Sequence, residues 1–464
     1  MSARSRYHAS RIVSGATRWA SGRDPARTAG ANRVKSVGWI ASAWATFKLG
    51  IVGLLSPFWA PAIMLRAATN NRRAKRLAAS FPAQLRAIAA GRAPAAPSNK
   101  VLDIPAEIRL VVFSDLHRCV SGRVDWPARQ RTKQLYEDVL EYYAADDWSL
   151  CENGDIEDYW LVGGSTYGAV YDALRMVGAA LARYGHTALI TETYKSHLDA
   201  IVANNDGIYG RIRRRFAVKG RYFRTVGNHD NPNNRPMVAD RLQQHLGSFP
   251  LADYFALRDA DGRLRGVICH GHHTDGWNAP ERDNLGKLST WIANTLIDVP
   301  RLNTPEGLAE PGAEEALLSG RFPDRLIEVN PTFGANTSYD SLDEERLFDA
   351  IEREGLGDLW LILGHTHFAA TAPLSKTGRR WDRYVNSGSG VNDGVITAIE
   401  WDGSGTEPVV RLVGWMLATP DTSPDAIVVS PDGRHLARYV LEHDGDRLRP
   451  LAGESRAARD MAHA

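Results

Sequence analysis

Eight residues of this chain can each offer a lone pair to a metal ion or a proton to a reacting oxygen, and each stands at the end of a short apolar run. They are Asp115 and His117, Asp155, Asn228 and His229, His270, and His365 and His367. The donor set is oxygen and imidazole without thiolate, which suits divalent Mn, Fe, Zn, Co or Ni. An Asp and a His two residues apart, just past a strand, can both turn toward one point. His365 and His367 can do the same. One carboxylate, Asp155, could bridge two ions. Two metals about 3.5–4 Å apart would clamp a water and stabilise both oxygens of an in-line displacement at phosphorus.

The elements that must position these residues are legible. IRLVVFSDLH (108–117), WSLCENGD (148–155), YFRTVGNHD (222–230), GVICHGHH (266–273) and LWLILGHTH (359–367) are apolar, β-branched runs that end in polar residues. Each reads as a buried strand feeding a loop. Helical stretches are expected around 130–145, 165–185, 190–216 and 281–297, and 275–358 is a large insertion between two of the strands. Strands alternating with helices predict an α/β architecture with ligands beyond the strand ends. After 380 strands return, and SPDG (430–433) reads as a hairpin turn.

The chain has 464 residues, 44% hydrophobic and 24% charged, which excludes global disorder and collagen-like repeats. Three cysteines make no paired framework and point to a reducing compartment. Residues 1–100 hold 17 Lys and Arg against one acid, Asp24, hence +16; the remainder holds 39 against 53, hence −14. The acidic body is a poor match for long nucleic acid, whose binding rests on phosphate neutralisation. The basic arm suits an anionic surface.

Five segments are expected: a basic disordered tail (1–36), an apolar segment (37–65), a helix and linker (66–104), the main domain (105–418, containing the 275–358 insertion), and C-terminal strands with a tail (419–464). The apolar segment is long enough to cross a bilayer, but Lys48, Pro57 and Pro61 interrupt it. A membrane anchor or in-plane segment, a buried helix with a snorkelling Lys48, and a signal peptide all fit it. The chain is expected in the cytoplasm, where residues 1–76 could meet an anionic membrane at its inner face.

The ordered series DLH, GD, GNHD, HGHH and GHTH resembles the calcineurin-like metallophosphoesterase family over about residues 108–395, with the insertion unmatched. NSGSG (386–390) is similar to the strand and turn that close the family's domain. The resemblance implies a four-layer α/β/β/α sandwich around a dinuclear centre. It implies that Asp115, His117 and His367 bind one metal, that Asn228, His270 and His365 bind the other, and that Asp155 bridges them. Manganese is the first expectation for the two divalent ions. A bridging hydroxide would be the nucleophile and His229 the general acid, oriented by Asp158 or, alternatively, by Asp230.

The chain departs from the family's protein phosphatases, because GDIEDYW has Tyr159 where they carry a phosphate-binding Arg. Arg118 is the expected substitute anion clamp, and Asn228 could also touch substrate. An acid and a Trp after GD resemble UDP-2,3-diacylglucosamine pyrophosphatases, although that subgroup has an Arg where this chain has His229.

His272 and His273 read as solvated loop residues, and Cys119, Cys151 and Cys269 as buried small hydrophobes rather than ligands. Arg211, Arg213, Arg214 and Arg215 read as a solvated helix face. Trp277, Trp291 and the apolar positions of 285–297 fit a lid and core packing equally. The expected function is metal-dependent hydrolysis of a phosphomonoester, phosphodiester or pyrophosphate, with a small or lipid-linked substrate. A nuclease or nucleotide phosphodiesterase is the alternative, with a catalytically silent scaffold behind it.

Overall fold

The computed structural model describes residues 76–92, 100–121, 132–160, 187–275, 347–373, 380–391, 394–420, 422–444 and 447–451, together with 72, 125 and 278. All of them belong to one compact unit, Trp59–Ala464. The apolar segment 37–65, the helices expected at 165–185 and 281–297, Trp277 and Trp291 lie outside the described residues. Among the described residues no helix is long and apolar enough to cross a membrane.

Two sheets carry the architecture. The nine-stranded sheet runs β13(Ile427–Val429), β14(His435–Asp444), β12(Val409–Leu417), β11(Ile396–Asp402), β2(Arg109–Phe113), β3(Ser149–Asn153), β4(Tyr222–Thr225), β5(Leu251–Ala252), with β15(Arg447–Pro450) on β14. The six-stranded sheet runs β1(Val101–Pro105), β6(Tyr254–Arg258), β7(Leu264–Cys269), β8(Trp360–Leu363), β10(Tyr384–Ser387), β9(Ala369–Thr371). Strands β2 to β5 are mutually parallel, as are β7, β8 and β10.

Alternation along the strands builds the layers, because successive side chains leave opposite faces. In β2, Leu110 and Val112 face the six-stranded sheet, meeting Phe255, Leu257, Ile268 and Ile362. Val111 and Phe113 face outward, where Leu135, Val139 and Tyr143 of the helix Thr132–Ala145 cover them with residues of three further helices. On the outer face of the six-stranded sheet, Phe81, Leu85 and Ile88 of the helix at 76–89 and Leu347, Phe348 and Ile351 pack against Tyr254, Val267 and Leu361. The result is the expected helix/sheet/sheet/helix sandwich.

Two expected boundaries move. The helix at 76–89 and strand β1 belong to the six-stranded half rather than to a linker ahead of 105, since their apolar stripe is buried there. The strands after 418 continue the main sheet: β14 pairs with β12, and alternate residues Leu436 and Ala437 enter the outer and inner cores. The helix expected over 190–216 is two helices, Thr187–Asn204 and Asp206–Arg215, broken at Asn205. SPDG is the turn between β13 and β14.

Candidate metal centre

The ligand-bearing loops leave the C-terminal ends of β2, β3 and β4 in one sheet and of β7 and β8 in the other, so the sandwich brings both sets to one rim. Backbone hydrogen bonds lace the loops together beyond the strands. Asp115 N–H donates to the Gly154 carbonyl (3.1 Å), His117 N–H to the Asp155 carbonyl (3.0 Å), and Gly364 N–H to the His270 carbonyl (3.0 Å). Asp115, His117, Asp155, His365 and His367 all adopt left-handed backbone, with φ of 53°, 43°, 53°, 71° and 61°. Such φ is uncommon outside glycine and clusters at functional sites. Glycines permit the close approach: a Cβ at Gly154 would lie 2.6 Å from the His270 ring, and one at Gly227 would collide with Asp155.

Among the described residues three three-residue groups result, one of them His117, Asp158 and His229, and the other two carry the expected ligands. In each, ligand atoms of all three side chains lie within 4.8 Å of one another: Asp115, His117 and His367 in the first, Asp155, His270 and His365 in the second. In the first, His117 Nε2 and His367 Nε2 are 3.1 Å apart, and His367 Nε2 is 3.2 Å from Asp115 Oδ1. In the second, His270 Nε2 is 3.2 Å from Asp155 Oδ2. The groups are contiguous, because His270 Nε2 also lies 3.9 Å from Asp115 Oδ1.

The donors fit a cation. Asn228 Oδ1 is buried without a hydrogen-bond partner among the described residues, which is costly unless something else meets it, while Asp115 Oδ1 and His270 Nε2 face other candidate ligands, His367 and Asp155. Burial pushes the His270 imidazolium down, yet the Asp155 and Asp115 carboxylates outweigh it and hold the ring's pKa up at about 10. Burial likewise opposes ionisation of Asp155, and the surrounding histidines, His270 first, keep its carboxyl well below its usual range. The pocket therefore favours positive charge at its centre, and oxygen with imidazole suits a first-row divalent ion. The imidazoles are also anchored as metal ligands are. His117 Nδ1 is 2.9 Å from Asp158 Oδ2, and His270 Nδ1 donates to the Asn153 carbonyl at 2.9 Å, which leaves Nε2 of each ring for the centre.

His229 lies at the edge of this constellation. Its backbone N–H donates to Asp155 Oδ1 (2.7 Å), and its Nδ1 is 2.9 Å from Asp158 Oδ2, the oxygen that also anchors His117. Trp160 stacks on the His229 ring with centroids 3.9 Å apart, and its backbone N–H donates to Asp158 Oδ1 (2.8 Å). Burial lowers the His229 pKa, but the charges of Asp158 and Asp155 outweigh it and raise it. Asp158, not Asp230, is thus the acid against the His229 ring. Asp230 instead ties its own loop, accepting from Gly227 N–H (2.5 Å) and Ile156 N–H (3.1 Å). Burial, and the negative neighbours that oppose the pull of Arg224, push its carboxyl up to about 6.

Two other expectations change. Arg118 is not presented to the centre: it is 1% exposed, its guanidinium pairs with Glu152, and it lies over the Tyr136 and Tyr209 rings at 5.2 and 5.1 Å. Its partner Glu152 also accepts from Arg224 (3.3 Å), Tyr136 (2.8 Å) and Tyr222 (2.5 Å). Glu157 accepts from Arg224, from Tyr209 and from Asn233 Nδ2 (2.9 Å). His272 and His273 are not solvated; they are 3% and 7% exposed, and His273 stacks on Tyr254. Burial first, then the neighbouring histidines, holds both below their usual pKa, His273 at about 3. Arg213, Arg214 and Arg215 are exposed, as expected of a solvated helix face, and Arg211 and Arg215 also pair with Glu137 and Glu141 of the adjoining helix. The three cysteines are buried and in no disulfide, and burial raises the thiols of Cys151 and Cys269, so neither is poised as a thiolate ligand.

The chain belongs to the calcineurin-like phosphoesterase family: the family's profile matches residues 108–369, more than half of its length. That span contains every ligand-bearing loop described above and the 275–358 insertion. Among curated proteins no match to the chain is found. As a family member it is a hydrolase of phosphate esters.

Proposed function

We propose that the chain hydrolyses a small or lipid-linked phosphate ester at a dinuclear centre, with Asp115, His117 and His367 holding one ion and Asp155, His270, His365 and Asn228 the other. The observation that carries this reading is the contiguity of the two three-ligand groups, with the anchored His229 ring beside them. Divalent ions bound there supply Lewis acidity and lower the pKa of water.

The remaining work falls to the side chains. Asp158 accepts a hydrogen bond from Nδ1–H of His229, so the proton on Nε2 of the imidazolium is the one that can pass to the leaving-group oxygen. The charges of Asp158 and Asp155 raise the pKa of His229, which favours its protonated form. Trp160 fixes the ring plane. The shared Asp158 oxygen couples the orientation of this acid to that of the ligand His117. The net −14 of residues 101–464 favours a compact substrate over a long polyanion, and the +16 of residues 1–100 supports tethering to an anionic membrane.

The test is metal analysis of the purified chain, paired with hydrolysis of bis-p-nitrophenyl phosphate and p-nitrophenyl phosphate before and after chelation. Two ions per chain, with activity lost to chelator and restored by Mn, are expected. A folded chain that binds no divalent ion and hydrolyses neither compound would overturn the reading in favour of a silent scaffold. Sedimentation of the chain with phosphatidylserine vesicles, abolished by deleting residues 1–76, is expected of the membrane tether.

A further inference from the structure

We infer that Asp275, the first residue of the long insertion, is a positioning residue for His365, and that it makes His365 present Nδ1 rather than Nε2 to the second ion. The inference rests on the dinuclear reading above and adds a residue and an atom-level assignment to it. His365 Nε2 is 3.1 Å from Asp275 Oδ2, while His365 Nδ1 is buried and has no hydrogen-bond partner among the described residues. A carboxylate beside one ring nitrogen keeps the proton there and leaves the lone pair on the other. His117 and His270 are anchored the opposite way round, through Nδ1, so they offer Nε2.

Asp275 is itself held. Asn278 Nδ2 donates to the same Oδ2 at 2.6 Å, and Asp275 N–H donates to the His272 carbonyl at 3.1 Å. The loop after β7 therefore supplies both a ligand, His270, and the anchor of another ligand, His365. Because the insertion begins at Asp275, its attachment point is one hydrogen bond away from the second ligand group. A displacement of that chain start would turn the His365 ring.

The experiment titrates Mn into the metal-stripped full-length chain by calorimetry, comparing wild type with Asp275→Ala and Asp275→Asn. Loss of an orienting carboxylate costs about 10- to 100-fold in metal affinity. We expect that loss for one ion in D275A, with the other bound as in wild type. D275N should fall between, since its amide oxygen still accepts the His365 proton without the charge. Nitrogen-15 spectra of the histidine-labelled, zinc-loaded chain should show His365 coordinated through Nδ1 and protonated at Nε2. Two ions bound by both variants with wild-type affinity, equal weakening of both ions, or Nε2 coordination of His365 would each overturn the inference. If D275A does not fold, D275N and the spectra decide. A wild-type chain that binds no metal overturns the functional reading instead, so the two failures are distinguishable.

Discussion

Two polar clusters lie a few residues apart along the same strands and meet the burial of charge in opposite ways. Around Glu152 and Glu157, the chain brings its own cations: Arg118 and Arg224 pair with the carboxylates, and tyrosine hydroxyls take up further lone pairs. At the rim, Asp115 and Asp155 face imidazoles instead, with His270 and His367 beside their carboxylates. Burying charge costs several kcal/mol per group, and a histidine ring, unlike a guanidinium, can give up its proton and offer a lone pair to a metal ion in its place. The difference separates a cluster built to hold loops still from one built to receive something. Dense buried charge alone is therefore not the signature of a site; carboxylates matched by imidazoles instead of fixed guanidinium charge are.

The comparison can be broken from either side. The largest effect is expected at the rim. Asp155→Asn or His229→Ala should lower turnover by orders of magnitude, about a hundred- to ten-thousandfold for loss of the general acid, while circular dichroism stays that of wild type. Full p-nitrophenyl phosphate hydrolysis in either variant would erase the distinction.

On the other side, Arg224→Met strips a cation from Glu152, Glu157 and Asp230 together. It should cost about 3–5 kcal/mol of stability, as breaking a buried pair does, read as a lower denaturation midpoint. Next, saturating Mn should stabilise the wild-type chain by about 2.7 kcal/mol per bound ion at a hundredfold excess over its dissociation constant. The same addition should do nothing for a chain lacking both Asp115 and Asp155. A metal effect that survives that double change would place the ions elsewhere.

The pH dependence sharpens the contrast at smaller scale. Burial opposes ionisation of Glu152, but Arg118 and Arg224 outweigh it and lower its pKa. The native state thus binds this proton less readily than the unfolded chain. The resulting stability is present above the usual Glu range and is lost as pH falls through the depressed native value. Glu152→Gln removes that linkage, so its stability should fall less steeply with acidification than that of wild type, measured by urea unfolding at successive pH values.

Much of this was legible before any fold. Asp115, His117, Asp155, Asn228, His270, His365 and His367 were visible because each ends an apolar run, and strand ends on parallel sheets converge. Arg118 was misread because neighbourhood in sequence was taken for neighbourhood in space: beside His117, it leaves the backbone toward the opposite side. The missed signal was Glu152 within SLCEN and Arg224 within YFRT, charged residues in otherwise buried strands, which demand each other. Asp275 belonged to no motif, and only the fold brings it to His365. His272 and His273 were judged by polarity, but the turn after β7 buries both. The strands past 418 were visible as strands but not as partners of β12, because pairing is non-local.

The left-handed backbone at five of the candidate ligands has a bearing on how such a site can be probed and how it can drift. Asp, Asn and His accept that conformation better than most side chains, so the residues that ligate are also among those that fit the turn. Alanine at His117 would remove a donor and leave a Cβ in strained backbone, which confounds two losses. Glycine removes the donor and the strain together, and should leave the chain about 1 kcal/mol more stable than alanine does there, the reverse of their ranking in a helix. Asn in place of Asp115 or Asp155 keeps the turn and changes only the charge. The backbone thus filters which substitutions a lineage could sample at these positions, separately from any demand of catalysis.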